Sequence, residues 1–211
     1  MPTFGTVTVV DVPRLTQARL DAAGVGAYFR PRDLQPLGVS FRQLQRLAAE
    51  GTVEKVGTGL YRLSEVELNE YETVAMVASA VPNAIVCLLT ALRIHEIGTQ
   101  NPAEVWIALD RKARKPRRVP TRLRIVRFSS AMLTYGVVQR SMLGVPVFIT
   151  SPARTVVDCF RYRNKVGIDV AMEALRDAVR SRITTVDRIA RAAEVCHART
   201  VMWPYMDALA T

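Results

Sequence analysis

The chain has 211 residues, 49% of them hydrophobic, which is enough for two globular units and too apolar for a disordered tail. The net charge is +10, with Arg dominant over Lys, and a surplus of that size points to a polyanionic or acidic partner. The longest apolar run, Ala84 to Leu92, is too short to cross a bilayer and is followed by Arg93, His95 and Glu96, and no signal-peptide pattern opens the sequence, so a cytoplasmic chain with no membrane partner is expected.

In chain order, Asp11 to Ala22 is predicted to be a helix, with Asp11 as cap and Pro13 early in it. Gly24-Val25-Gly26 breaks it, and Tyr28 and Phe29 return the chain to a core. A short helix is expected over Arg32–Leu37, ended by Gly38. Ser40 then caps a second helix, Phe41–Glu50, with Gln43 three residues on to complete a capping box. Phe41, Leu44, Leu47 and Ala48 are predicted to form its buried face. Thr52–Val56 and Leu60–Leu63 form a hairpin around Gly57-Thr58-Gly59. A connecting helix over Glu67–Ala80 leads to a domain boundary at Val81-Pro82-Asn83.

Beyond it, a helix is expected over Ala84–Ile97 and strands over Val105–Leu109, Leu123–Phe128, Val137–Ser141 and Val145–Ile149. Helices follow over Ser151–Arg161, Gly167–Ser181, Thr184–Cys196 and Thr200–Ala208. The reading is an α+β chain. A winged helix-turn-helix (residues 1–80) precedes a mixed α/β domain (residues 84–211) with a small sheet and a C-terminal helical bundle.

Helix, short helix, tight turn, helix and hairpin is the order of a winged helix, in which the second helix of the pair buries one face and offers the other to the major groove. Ser40, Arg42, Gln43, Gln45 and Arg46 lie on that offered face. Arg pairs with guanine and Gln with adenine through two hydrogen bonds each, while Ser and a helix N-terminus hold phosphate. Arg32 from the preceding helix, and Lys55, Thr58 and Arg62 from the wing, complete the expected contacts.

The charge is not where this module is. Residues 1–80 hold 8 Lys/Arg against 9 Asp/Glu, and residues 81–211 hold 21 against 10. The field peaks at Arg111, Lys112, Arg114, Lys115, Arg117, Arg118, Arg122, Arg124 and Arg127, with no acid between the first and the last. That stretch is expected to meet nucleic acid or an acidic partner, and its bland alternative is a solvated loop.

Catalytic chemistry has weak support. Asp110-Arg-Lys112, with Glu96 and Glu104 upstream, has the outline of a Mg²⁺-dependent nuclease site without a clear first carboxylate. His95 and His197 have no companion ligands, and Cys87, Cys159 and Cys196 are scattered, as reduced buried thiols are. No phosphate loop or catalytic triad is present, so neither cofactor nor metal nor catalytic residue is expected. Arg154 and Asp158, four apart, are expected to form an intrahelical ion pair.

The segment from Phe29-Arg-Pro-Arg-Asp-Leu to Gly59-Leu-Tyr-Arg-Leu resembles the winged helix of the AbiEi antitoxins, transcriptional regulators of type IV toxin–antitoxin systems. Cys87-Leu-Leu-Thr-Ala-Leu-Arg-Ile-His-Glu-Ile-Gly, Val105-Trp-Ile-Ala-Leu, Gly144-Val-Pro-Val and Ser151-Pro-Ala-Arg-Thr-Val-Val-Asp follow in the same order, as do Asn164-Lys-Val-Gly-Ile-Asp, Ala171-Met-Glu-Ala-Leu-Arg and Pro204-Tyr. The resemblance implies an N-terminal domain that binds inverted repeats in its own promoter and represses the operon. It implies a C-terminal domain with antitoxin activity against a nucleotidyltransferase encoded downstream. It places operator reading on Arg42, Gln43, Gln45 and Arg46. A stand-alone winged-helix regulator with a partner-binding C-terminal domain is the alternative.

Overall fold

The computed structural model describes residues 15–207. Asp11 and Pro13, expected to open the first helix, lie outside the described residues, as does Ala208 at the expected end of the last. Within them, α1 (Gln17–Ala22) is capped by Thr16, whose side chain accepts from the Arg19 amide. β1 (Tyr28–Phe29), a 3-10 helix (Pro31–Leu37), α2 (Phe41–Ala49), β2 (Val53–Gly57) and β3 (Leu60–Leu63) follow. The three strands form an antiparallel sheet in the order β1-β3-β2.

Alternation along these strands decides what each face meets. Phe29, Val53, Tyr61 and Leu63 pack with Leu20, Leu34, Val39 and Leu44 into the core of the helical unit. Tyr28 and Leu60 point the other way and join Val74, Ala75 and Ala78 of α3 (Glu72–Ala80). α3 starts later than the expected Glu67. The Tyr71 amide donates to Asn69 Oδ1 at 2.9 Å, a side-chain turn that competes with the helix.

The expected helix over Ala84–Ile97 is divided. Its first residues form a short strand, β4 (Ile85–Val86), and the helix proper is α4 (Leu88–Ile94). β4 is the central strand of a five-stranded sheet of order β6-β5-β4-β8-β7, with β5 (Val105–Asp110), β6 (Leu123–Phe128), β7 (Val137–Met142) and β8 (Val145–Thr150). β4 runs antiparallel to β5 and parallel to β8. A strand buried on both faces shows no alternation, so Ala84 to Leu92 reads as one apolar run.

The sheet is the middle of three layers. Trp106 and Ala108 of β5 face α4 and a helical bundle of α5 (Pro152–Arg161), α7 (Ile168–Arg180), α8 (Val186–Val195) and α9 (Arg199–Asp207), with the short α6 (Arg163–Val166) between α5 and α7. Val105, Ile107 and Leu109 face the opposite side and meet Val77 of α3. α5 is the pivot of the bundle, with Val156, Val157, Cys159 and Phe160 fully buried. All three cysteines are buried and unpaired. The architecture is the winged helix plus mixed α/β body with a C-terminal bundle that the sequence predicts.

The wing sheet is bonded both to the β7–β8 turn and to α3. The Ala27 amide donates to Leu143 O at 2.8 Å, across to the β7–β8 turn. Arg30 donates from Nε to Ser79 O at 3.1 Å and from its terminal nitrogen to Ala80 O, while Ser79 Oγ donates to Tyr28 O at 2.9 Å. The charge-assisted bonds from Arg30 satisfy carbonyls at the C-terminal end of α3, and the set together fixes the wing sheet on α3 and the β7–β8 turn.

Candidate nucleic-acid interface

The turn between the two helices of the winged unit is built as its residues require. Gly38 has φ 72°, the left-handed conformation that ends the 3-10 helix at no Cβ cost. Val39 is buried, and Ser40 caps α2. The Gln43 amide donates to Ser40 Oγ at 3.3 Å, and the Ser40 amide donates to Gln43 Oε1 at 2.7 Å. Both members of the expected capping box are therefore in place. Gln43 is drawn back onto the helix end, so its carbonyl oxygen is engaged by the cap and its amide nitrogen is the group left for a ligand.

The outward stripe of α2 consists of Phe41, Arg42, Gln45, Arg46 and Ala49, while Leu44 is buried and Leu47 and Ala48 are half-buried. Phe41 departs from expectation. Its spacing predicts the apolar face, but it is 55% exposed at the first turn, beside Arg42. The apolar arc closes on Leu44, Leu47 and Ala48, and position 41 falls at its rim. An aromatic ring held in water on an exposed helix face is chemically suited to apolar contact with the methyl group of thymine.

Arg42 and Gln45 are exposed and form no side-chain hydrogen bond or ion pair with another described residue. Arg46 Nε lies 2.7 Å from Glu50 Oε1, an exposed i,i+4 pair that a phosphate or guanine can displace at little cost. Lys55 is exposed and shares its sheet face with Val53 and Tyr61, the face that carries the helices. Thr58 is exposed at the tip of the hairpin.

Two expected contacts sit elsewhere. Arg62 stands opposite Tyr28 and Glu54 on the α3 side of the wing sheet and donates to Glu54 Oε2 from Nε at 3.0 Å and from Nη2 at 2.7 Å. Tyr28 beside it donates to Glu72 Oε1 at 3.3 Å, and burial together with Glu72 pushes its hydroxyl up to about 12. Arg62 is thus part of the joint between wing and body. Arg32 is exposed but lines the cleft bounded by Tyr28, Ala78, Pro146 and Phe148. The structure brings together Ser40, Arg42, Gln43, Gln45 and Arg46, and sets Lys55 and Thr58 on the adjoining wing.

The basic stretch of the body also divides by role. Arg127 is half-buried and donates from Nη1 to Asp110 O and to Ala113 O, both at 2.8 Å. It builds the root of the loop between β5 and β6. Arg124 lies over the Trp106 ring at 5.6 Å and 3.8 Å from Glu104 Oε2. Arg111, Lys112, Arg114, Lys115, Arg117, Arg118 and Arg122 are all exposed, and no ion pair joins any of them to another described residue.

The outline of a nuclease is not gathered into a site. Asp110 Oδ1 accepts from the Lys112 amide at 2.7 Å, a turn that shapes the loop, and Glu104 faces Arg124. Among the described residues no group of three His, Cys, Asp or Glu side chains converges as a metal would require. His95 is buried and its Nε2 donates to Thr150 O at 2.6 Å, so it ties α4 to β8. No described helix is long and apolar enough to cross a membrane.

A two-helix unit with a capped, polar-faced second helix and an adjoining hairpin is a winged helix-turn-helix of the type found in DNA-binding regulators. Residues 20–64, from α1 through β3, match a family model described as transcriptional regulator, AbiEi antitoxin, so the resemblance read from the sequence holds over that region. The crystal structure of the RV2827C protein from Mycobacterium tuberculosis is similar in fold, with a TM-score of 0.57 and 15% identity over 91% of this chain and 73% of that one. No curated protein matches the chain.

Proposed function

We propose that this chain is a sequence-specific DNA-binding repressor that serves as the antitoxin of a type IV toxin–antitoxin system and regulates its own operon. The observation that carries the reading is the outward stripe of α2. Arg42, Gln45 and Arg46 lie on one exposed face behind a complete Ser40–Gln43 cap, within the segment that matches the antitoxin regulators. In this reading Arg42, Gln45 and Arg46 read base edges, and the Gln43 amide nitrogen adds a donor. Ser40 and the N-terminus of α2 hold one phosphate, and Lys55 and Thr58 hold others from the wing. In this reading residues 1–80 carry the reading unit, with α3 as its packed link to the body, and residues 84–211 carry the antitoxin unit, which acts against a nucleotidyltransferase encoded nearby. No step of this function needs a cofactor or a catalytic group of this chain.

The test is a mobility-shift titration with the DNA immediately upstream of the gene. The expected result is a protected inverted repeat, bound on the order of a thousandfold more tightly than random duplex. Equal affinity for both would overturn the operator claim. Growth of a host expressing the neighbouring nucleotidyltransferase, with and without this chain, tests the antitoxin claim. Unchanged toxicity would overturn it.

A further inference from the structure

β8 leaves one face of its hairpin without cover. Val145, Val147 and Ile149 turn towards α3 and are buried, so Pro146 and Phe148 point to the opposite face, and both are exposed. In register with Phe148 stands Ile85 of β4, and beyond it Ala108 of β5, both beneath the helical bundle. The cover given by the bundle ends at β4, and the Phe148 ring, 39% exposed, is left beside open space. Gln139 and Ser141, opposite Phe148 and Pro146 on β7, are exposed as well.

That space is a cleft of about 380 Å³. Pro82, Pro146 and Phe148 line it from the body, and Gly24, Gly26 and Arg32 from the winged unit. The volume suits a molecule of one or two rings, and joints between packed units are where small-molecule sites concentrate. Arg32 supplies the polar group. Its Nε lies 3.6 Å from Asp33 Oδ1, and it forms no hydrogen bond with another described residue, so the guanidinium fork is open. Asp33 is held instead by the Arg30 amide, which donates to Oδ2 at 2.7 Å. Arg30, bonded to the Ser79 and Ala80 carbonyls, places a second cation beside the lining at Ser79, so two cations face one carboxylate. The Gly26 amide, also in the lining, forms no hydrogen bond with another described residue.

We propose that this cleft binds a small aromatic carboxylate, with its ring against Phe148 and Pro146 and its carboxylate paired with the Arg32 guanidinium. Such a site does not depend on DNA binding by α2. Phe148 and the two prolines offer apolar area that water now covers, and an open guanidinium fork matches a carboxylate through two parallel bonds. A cation would be repelled by Arg30 and Arg32, and an uncharged ring would forgo the fork. An anion with a flat apolar body is the class that uses the whole lining. Because that lining comes from both sides of the joint, the bound molecule holds the arrangement in place and raises the thermal midpoint.

Calorimetric titration of the full chain with benzoate, 2-naphthoate and indole-3-acetate tests the assignment, with 2-naphthamide as the uncharged counterpart. 2-Naphthoate is expected to bind one site per chain with Kd of about 0.1–1 mM, the range for a two-ring acid of ordinary ligand efficiency, and to raise the thermal midpoint. Arg32→Gln, a surface change, should weaken 2-naphthoate at least about fivefold and leave 2-naphthamide unchanged. Phe148→Ala should weaken both by about tenfold. Trp203 is the control. It is 55% exposed on α9 with the Arg199 guanidinium 5.4 Å from its ring centre, so it presents the same pair of groups on another surface. Trp203→Ala should change neither affinity. If Phe148→Ala does not fold, the comparison of acid with amide in Arg32→Gln still decides. Absence of saturable binding by all three acids overturns the proposal, as does undiminished 2-naphthoate binding by Arg32→Gln or a loss of binding in Trp203→Ala.

Discussion

Gly26 meets Val145 at van der Waals range. A Cβ at position 26 would stand 2.5 Å from the Val145 amide nitrogen and 2.6 Å from the Gly144 carbonyl carbon. Both are backbone atoms, so no side chain can swing aside to admit a methyl group. Together with the bond from the Ala27 amide to Leu143 O, this contact seats the winged unit on the β7–β8 turn.

Gly26→Ala is therefore expected to destabilise the protein by about 1–3 kcal/mol, the usual cost of forcing a methyl into packed backbone. Gly24 has φ +67° but open space around it, so Gly24→Ala should cost only the backbone strain, about 1 kcal/mol. Thermal or denaturant unfolding of the two variants checks the order. A larger loss at position 24 would contradict the close contact.

The Arg154–Asp158 pair is intrahelical, as its spacing predicts, but the sequence gives no sign of its depth. Both side chains are fully buried, with Arg154 Nε 2.9 Å from both carboxylate oxygens. Arg154 also donates to Tyr135 O at 2.5 Å and Met132 O at 3.3 Å, and its guanidinium lies 4.9 Å from the Phe128 ring centre. Asp158→Ala leaves a guanidinium in the bundle core without its counter-ion and is expected to cost about 3–5 kcal/mol. Arg154→Met combined with Asp158→Leu should cost less than the two single changes added together. Additivity in a double-mutant cycle would argue against the pairing.

His95 gives stability a pH dependence. Burial holds its imidazole below the usual value of 6.5, the bond to Thr150 O opposes that shift, and Arg140 reinforces it. Nδ1 is buried without a hydrogen-bond partner among the described residues, so protonation would place a second N–H there with none of them to accept it. The unfolded chain thus takes up the proton first, and the contribution of neutral His95 is complete above pH 6.5 and lost as pH falls through that value. Asp158, pushed by burial up to about 6 against the pull of Arg154, titrates nearby with the opposite sign, its contribution declining as pH rises through that value. The comparison is accordingly between the unaltered protein and His95→Gln. The difference between their thermal midpoints should shrink as pH falls from 7.5 to 5. A constant difference would contradict the neutral, buried imidazole.

At the other end of the molecule, Ser40→Ala removes the cap of α2 and is expected to cost about 1 kcal/mol of stability. It should also weaken DNA binding, since the helix N-terminus loses its fixed orientation. Phe41→Ala should leave stability nearly unchanged, because the ring is already in solvent. Its expected effect is a relaxed preference at a single thymine in a selected-site experiment, and an unaltered preference would remove Phe41 from the reading face.

The winged unit was legible because its signals are local. Gly38, Val39 and Ser40 each specify their own conformation, and Gln43 completes a box within one turn. Phe41 was misplaced because an arc drawn from hydrophobic spacing has uncertain rims, and only the closing of the core on Leu44 settles which rim residue is buried. β4 was hidden because two residues paired on both sides and covered on both faces carry no period. The division of the basic stretch into structural Arg127, ring-stacked Arg124 and free loop cations depends on tertiary partners such as the Asp110 and Ala113 carbonyls and Trp106. A Cβ on Gly57 would lie 3.3 Å from Pro120 Cγ, an approach of segments distant in sequence that nothing in either segment announces.

The central claim is that the exposed stripe of α2 reads bases. The most direct measurement is the ratio of dissociation constants for operator and random duplex, at fixed salt, for the unaltered protein and for Arg42→Ala combined with Arg46→Ala. The account predicts that the ratio collapses by on the order of a hundredfold through loss of operator affinity, while random-duplex binding, carried by the remaining phosphate contacts, changes far less. A ratio that survives the double substitution would contradict it.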